Sequence, residues 1–138
     1  METLSVQIQP VVFKILIMDD ESAIRTLLKR ALINLGYKVL EAADGKQTLK
    51  IYAEEKMSGE PVSVVIMDLT IPEGMGGEET IKKLLEFDPE AKAIVSSGYS
   101  TSPVMSNFYE YGFKAVLAKP YTLVELKKTI ARVLRTNV

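Results

Sequence analysis

The chain has 138 residues, 47% hydrophobic and 25% charged, with a net charge of -1, which is enough for one globular domain that buries its own core and too little for two. Cysteine and histidine are both absent. This excludes disulfide frameworks, Ser-His and Cys-His nucleophiles and an internal phosphohistidine, and leaves any metal to oxygen ligands, hence magnesium or calcium rather than zinc.

The charge balance offers no basic footprint for nucleic acid, and no apolar run approaches the ~18 residues of a membrane span. A soluble, cytoplasmic protein with no membrane insertion and no direct nucleic-acid contact is therefore expected. Residues 1–10 read as an irregular lead-in ending at Pro10, and residues 11–138 as the domain.

Residues 12–18, broken only by Lys14, form a short apolar run suited to a central parallel strand. Ile24, Leu27, Leu28, Ala31, Leu32 and Leu35 then recur at helical spacing, with Ser22 as the expected N-cap and Gly36 where a C-terminal cap belongs. Residues 37–42 read as a second strand, and Asp44-Gly45 opens a helix that turns Leu49, Tyr52 and Ala53 inward.

The third strand is expected over 62–67, followed by a loop over 71–77 containing Pro72, Gly74, Gly76 and Gly77. A helix carrying Ile81, Leu84 and Leu85 ends before Pro89. A fourth strand over 91–95, a fourth helix over 103–111 and a fifth strand over 114–118 complete the alternation. In the last helix Thr122 and Glu125 form a capping box, Tyr121 and Leu126 a hydrophobic staple, and Leu126, Ile130, Val133 and Leu134 the buried stripe. Strict alternation of strand and helix implies an α/β fold with a parallel sheet covered on both faces.

Four polar positions follow these apolar runs: Asp19 with Asp20, Asp68, Ser97 and Lys119. Taken singly, each has an ordinary role as a cap, a strand end or a turn residue. If the runs are neighbouring parallel strands, their carboxyl ends gather these groups in one crevice, where open α/β sheets bind ligands. Three carboxylates about 6 Å apart repel by ~3 kcal/mol per pair at an effective dielectric of 20, a cost that a divalent cation among them would offset. Magnesium suits such a set, because it takes one or two carboxylates and bridges to phosphate oxygens.

Four segments carry a resemblance: Met18-Asp19-Asp20-Glu21; Val65-Ile66-Met67-Asp68 with Pro72 and Gly74-Met75-Gly76-Gly77; Val95-Ser96-Ser97-Gly98-Tyr99; and Leu117-Ala118-Lys119-Pro120. Across about residues 12–135 the chain resembles the receiver domain of two-component response regulators, and most of all receivers attached to hybrid sensor histidine kinases. The resemblance implies a single doubly wound, flavodoxin-like domain with five parallel strands in the order 2-1-3-4-5 and five helices, the arrangement that receivers share with flavodoxin.

It further implies that Asp68 is the phosphoacceptor, that Asp19, Asp20, Asp68 and the backbone carbonyl of Thr70 hold Mg2+, and that Ser97 and Lys119 meet the phosphoryl group. The donor would be a histidine kinase or a histidine phosphotransfer domain. Ser96, adjacent to Ser97, is the alternative hydroxyl.

Two positions depart from the family pattern. Val116 stands where many receivers carry an aromatic switch residue, so output is expected through Ser97 and Tyr99 after strand four. Thr70 replaces a long apolar or amide side chain. Six of the ten aromatic residues, Tyr99, Phe108, Tyr109, Tyr111, Phe113 and Tyr121, cluster late in the chain, where some belong to the core and others would serve a partner surface or a phosphorylation-dependent dimer through helix four, strand five and helix five.

Three rival readings fit the residues less well. A haloacid-dehalogenase-type phosphatase needs a second Asp two residues after the first, which Asp68-Leu69-Thr70 lacks. A flavodoxin-like nucleotide module would have to hold phosphate against Asp19-Asp20-Glu21. A receiver acting only as a phosphorylation-independent interaction module would have no need of the full site set.

Overall fold

The computed structural model describes residues 11–98 and 101–135; the lead-in expected over residues 1–10, and Tyr99, lie outside them. Five strands alternate with five helices: β1 Lys14–Met18, α1 Ser22–Asn34, β2 Lys38–Ala42, α2 Gly45–Met57, β3 Val64–Asp68, α3 Gly77–Phe87, β4 Ala93–Ser97, α4 Pro103–Ser106, β5 Ala115–Ala118 and α5 Leu123–Arg135. All pairings are parallel and the order is β2-β1-β3-β4-β5. This is the doubly wound arrangement expected from the sequence.

The alternation of strand residues sorts the core into two layers. Leu16, Met18, Val65, Met67, Ala93 and Val95 pack with Tyr52, Ile81, Leu84 and Phe113 on the side of α2 and α3. Ile15, Ile17, Val64, Ile66, Ile94 and Leu117 pack with Leu28 and Leu32 of α1 and Leu126, Ile130 and Val133 of α5. Because both faces are covered, β1, β3 and β4 are buried at every position, which is why they read as continuous apolar runs rather than alternating ones.

Local signals account for most element ends. Gly36 adopts φ 97° just past α1, a conformation that L side chains rarely take. Asp44 caps α2 by accepting from the Gln47 N–H at 2.9 Å. The α5 capping box is complete: Thr122 Oγ1 accepts from the Glu125 N–H at 3.0 Å, and Glu125 Oε1 accepts from the Thr122 N–H at 3.1 Å. Tyr121 and Leu126 both join the α1/α5 layer, as the staple requires.

Three expectations need correction. Ser22 is the first residue of α1 and Glu21 the N-cap, with no side-chain cap bond; the Asp19 carboxylate accepts the Glu21 N–H at 2.9 Å and anchors the turn instead. The fourth helix is regular only over Pro103–Ser106, because Asn107 leaves helical geometry at φ -120°, ψ 39° and the backbone continues in turns to Gly112. Leu27, placed on the buried stripe by its spacing, is 69% exposed.

Two contacts brace the end of the sheet away from the site and its α2/α3 side. Lys14 donates to Glu55 and to the Glu60 carbonyl. Tyr52 donates to Asp88 at 2.7 Å, and Lys56 pairs with the same carboxylate at 3.0 Å. Burial works against the Asp88 charge, yet the bonds from Tyr52, Lys56 and the Glu90 N–H and the Lys56 charge together hold its carboxyl below the usual range. That contribution to stability is present above the unfolded carboxylate range and is lost as pH falls through the lowered folded value.

The loop between β3 and α3 lies close against its neighbours because glycines admit it. A Cβ on Gly76 would lie 2.5 Å from the Leu69 carbonyl oxygen, and one on Gly45 would lie 1.9 Å from Thr80 Oγ1 and 2.8 Å from Met75 Cγ. Gly45→Ala is therefore expected to overpack the junction of α2 and α3, costing about 1–3 kcal/mol. A fall in melting temperature of roughly 4–10 °C by circular dichroism checks this; an unchanged melting curve would contradict it.

Candidate functional site

The carboxyl ends of β1, β3 and β5 converge on the α1/α5 side of the sheet. Ile17, Ile66 and Leu117 face that layer, and two residues further along each chain stand Asp19, Asp68 and Lys119, which keep the same parity. The strand pairing fixes their heights. Met18 is opposite Met67, Asp68 is opposite Ser96, and Ser97 is opposite Ala118.

Lys119 links the two buried carboxylates: its Nζ lies 3.1 Å from Asp19 Oδ2 and 3.5 Å from Asp68 Oδ2. Asp19 is 4% exposed and Asp68 9%. Asp20 is exposed, yet one oxygen from each of Asp19, Asp20 and Asp68 falls within 4.8 Å of the others. Exposure places the Asp20 charge partly in water, so its repulsion with the other two is smaller than the ~3 kcal/mol expected for each pair. The donors are all oxygen and close enough to share one ion, so the residues present fit Mg2+.

Burial is the chief influence on the Asp68 carboxyl and pushes its pKa up; the Asp19 charge adds to this, while Lys119 and the Thr70 N–H, 3.3 Å from Oδ1, work against it. Burial also opposes the Lys119 charge, but its bond to Asp19 and the charges of Asp68 and Asp19 outweigh that and hold the ammonium above the usual lysine range. The two shifts are compatible because Lys119 sits nearer Asp19, leaving the desolvation of Asp68 only partly offset.

The other residues singled out from the sequence stand as follows. Thr70 is exposed at the head of the loop and reaches Asp68 through its N–H. Ser97 ends β4, 2% exposed, and its carbonyl accepts the Lys119 N–H at 2.9 Å, tying the ends of β4 and β5 together. Ser96 shares the face of Asp68, and its hydroxyl is buried with no hydrogen-bond partner among the described residues. Val116 is half-buried in mid-strand, packed on the α2/α3 layer opposite Val95 rather than in the crevice.

Of the late aromatic residues, Phe113 is fully buried and Tyr109 is 68% exposed beneath the Lys114 ammonium. Tyr111, partly exposed, lines a cleft with Glu78, Glu79 and Glu110.

Sequence reasoning missed two features of the site. Tyr121, read only as a staple and an aromatic, has its phenol in the field of Lys119, Asp19 and Asp68, although burial is what chiefly pushes its pKa up. An apolar groove of about 430 Å³ opens beside Lys119, lined among others by Leu27, Tyr121 and Leu123. The signal for the groove was present: Leu27 lies at the edge of the helical stripe, where spacing alone does not distinguish core from rim.

The family model for the response regulator receiver domain matches residues 15–131. Sporulation initiation phosphotransferase F of Bacillus subtilis is 31% identical over 121 residues, covering 88% of this chain and 93% of that protein. The sensor kinase CckA of Brucella abortus is 36% identical over 123 residues, which take in 87% of this chain and 12% of the kinase. The crystal structure of response regulator protein TrrA from Thermotoga maritima, in complex with Mg2+-BeF, matches with a TM-score of 0.74 at 28% identity, covering 88% of this chain and 99% of that one. The shared sheet order and a family match spanning the sheet from β1 into α5 carry one conclusion: the chain belongs to the response regulator receiver domain family of two-component signalling.

Proposed function

We propose that this receiver accepts a phosphoryl group on Asp68 from a phosphohistidine of a histidine kinase or histidine phosphotransfer domain, with Mg2+ as cofactor. One observation carries the reading: a buried carboxylate at the end of the central strand has an ammonium on one side and two further carboxylates within reach of a shared ion. The donor histidine lies in another domain or another molecule, because these 138 residues contain none.

In the transfer, an Asp68 oxygen forms a bond to phosphorus as the P–N bond to the imidazole breaks, and the leaving imidazole nitrogen takes up a proton. Phosphoryl transfer is governed by in-line positioning and by charge around the equatorial oxygens. Lys119, already beside Asp68, stabilises that charge on one side, and the Ser97 hydroxyl donates to another equatorial oxygen. Bound Mg2+, held by Asp19, Asp20, Asp68 and the Thr70 carbonyl, supplies charge neutralisation. Ser97 is preferred to Ser96 on the family resemblance, since it precedes Gly98 and stands at the family's spacing from Lys119, although Ser96 shares the face of Asp68.

Output then follows Ser97 into the β4–α4 segment containing Tyr99, since Val116 is aliphatic and packed on the α2/α3 layer in the middle of the edge strand β5. The α4–β5–α5 face, with Tyr109 exposed, is the surface offered for a phosphorylation-dependent dimer. Within this reading the domain is a signalling phosphoacceptor, and a cytoplasmic site suits its donors. Among the described residues no helix is long and apolar enough to cross a membrane.

Intact mass after incubation with acetyl phosphate and Mg2+ tests the proposal. A gain of one phosphoryl group per chain, lost on hydroxylamine treatment and absent in excess chelator, is expected. Labelling that persists without divalent metal would contradict it.

A further inference from the structure

Asp19 is held at every polar atom. Its N–H donates to the Ala42 carbonyl of β2 at 3.1 Å, Oδ1 accepts from Glu21 and Oδ2 from Lys119. Its carbonyl oxygen accepts from Arg25 Nη1 at 2.6 Å. That carbonyl belongs to the peptide unit joining Asp19 to Asp20. Because the unit is planar, its rotation about the flanking bonds would swing the two acids relative to one another.

Arg25 is itself braced. Its Nε donates to Glu41 Oε1 at 3.2 Å, and Lys29, one turn further along α1, reaches Glu41 Oε2 at 3.2 Å. Glu41 lies on β2 next to Ala42. The β1–α1 turn is thus gripped by neighbouring residues of one strand, the N–H of Asp19 directly and its carbonyl through the guanidinium fork. A lysine at position 25 could make one of these contacts but has no planar fork to span both. The Arg25 side chain is 18% exposed, in contrast to 42% for Lys29, so only the inner arm of this trio reaches the site.

We propose that Arg25, braced by Glu41, is a positioning residue that sets the Asp19–Asp20 peptide and so aims the exposed Asp20 carboxylate at the divalent cation. It touches neither the metal nor the reacting atoms. The inference rests on the reading of Asp19, Asp20 and Asp68 as a Mg2+ site. Partners that orient ligands in this way typically change metal affinity by about 10–100-fold when removed.

Calorimetric titration of the full chain with Mg2+, paired with melting temperatures, tests it. The wild-type chain should bind Mg2+ and Asp20→Asn should bind it far more weakly, which establishes the acidic site independently of Arg25. Arg25→Ala is then expected to weaken affinity about 10-fold, Arg25→Lys to recover part of it, and Glu41→Gln to weaken it in the same direction without deleting a side chain. Lys29→Ala, which removes the outer arm, should leave Mg2+ affinity unchanged even where stability falls.

Wild-type affinity in folded Arg25→Ala and Glu41→Gln proteins, with Asp20→Asn still defective, would overturn the positioning role while sparing the metal site. Failure of the wild-type chain to bind Mg2+, or undiminished binding by Asp20→Asn, would overturn both.

Discussion

Asp68→Asn is expected to reduce labelling by acetyl phosphate and Mg2+ to background, because neither neighbouring acid can take its place. Both Asp19 oxygens are already engaged, one by the Glu21 N–H and the other by Lys119. Asp20 is exposed and has no ammonium partner among the described residues. Asparagine preserves size and an acceptor oxygen for Lys119 while removing the nucleophilic charge.

The same substitution should stabilise the metal-free fold by about 1 kcal/mol, since it removes a buried charge whose desolvation Lys119 only partly offsets. Mass spectrometry and thermal unfolding read the two effects separately. Undiminished labelling of the mutant would remove Asp68 as the acceptor, whatever its melting temperature.

Lys119→Ala is expected to have the next largest effect, and in the opposite direction on stability. Among the described residues Lys119 is the one cation paired with Asp19 and Asp68. Its loss leaves two buried carboxylates facing each other. Breaking a fully buried pair costs about 3–5 kcal/mol; Lys119, with a side chain 26% exposed, should cost nearer ~2 kcal/mol, since water screens part of its interaction.

Saturating Mg2+ should restore more stability to this mutant than to the wild-type chain, because the ion replaces part of the missing charge. Acceptor phosphorylation should still fall by about 100-fold, the scale of losing one preorganised stabiliser of transition-state charge. A mutant that melts as wild type without metal and labels at the normal rate would show that Lys119 is not part of the site.

The alternation of strand and helix was legible because β1, β3 and β4 are buried on both faces, so their apolar runs stand out, whereas the strand order came from the family resemblance. Periodicity could not show where α4 stops, since Asn107 leaves the helix through backbone angles to which spacing is blind. Nor could it show that Leu27 faces outward. The Arg25–Glu41 contact was hidden for a different reason. Charged residues 16 positions apart on a helix and a strand look like two solvated faces until the β1–β2 pairing brings them together. The gathering of residues at strand ends was readable, whereas contacts that brace one element against another were not.

The pairing of Lys119 with two carboxylates also sets an electroneutrality condition. Three carboxylates and one ammonium leave the cluster with two negative charges, so a single divalent ion balances it. A monovalent ion would leave it anionic and repel a phosphoryl donor; a trivalent ion would leave it cationic and hold the product too firmly. A divalent ion is therefore the charge-matched occupant of the cluster. Choice among divalent ions falls to radius and hydration, and since Asp20 is open to solvent, an ion that retains several waters is better accommodated than one that must be fully wrapped by protein oxygen.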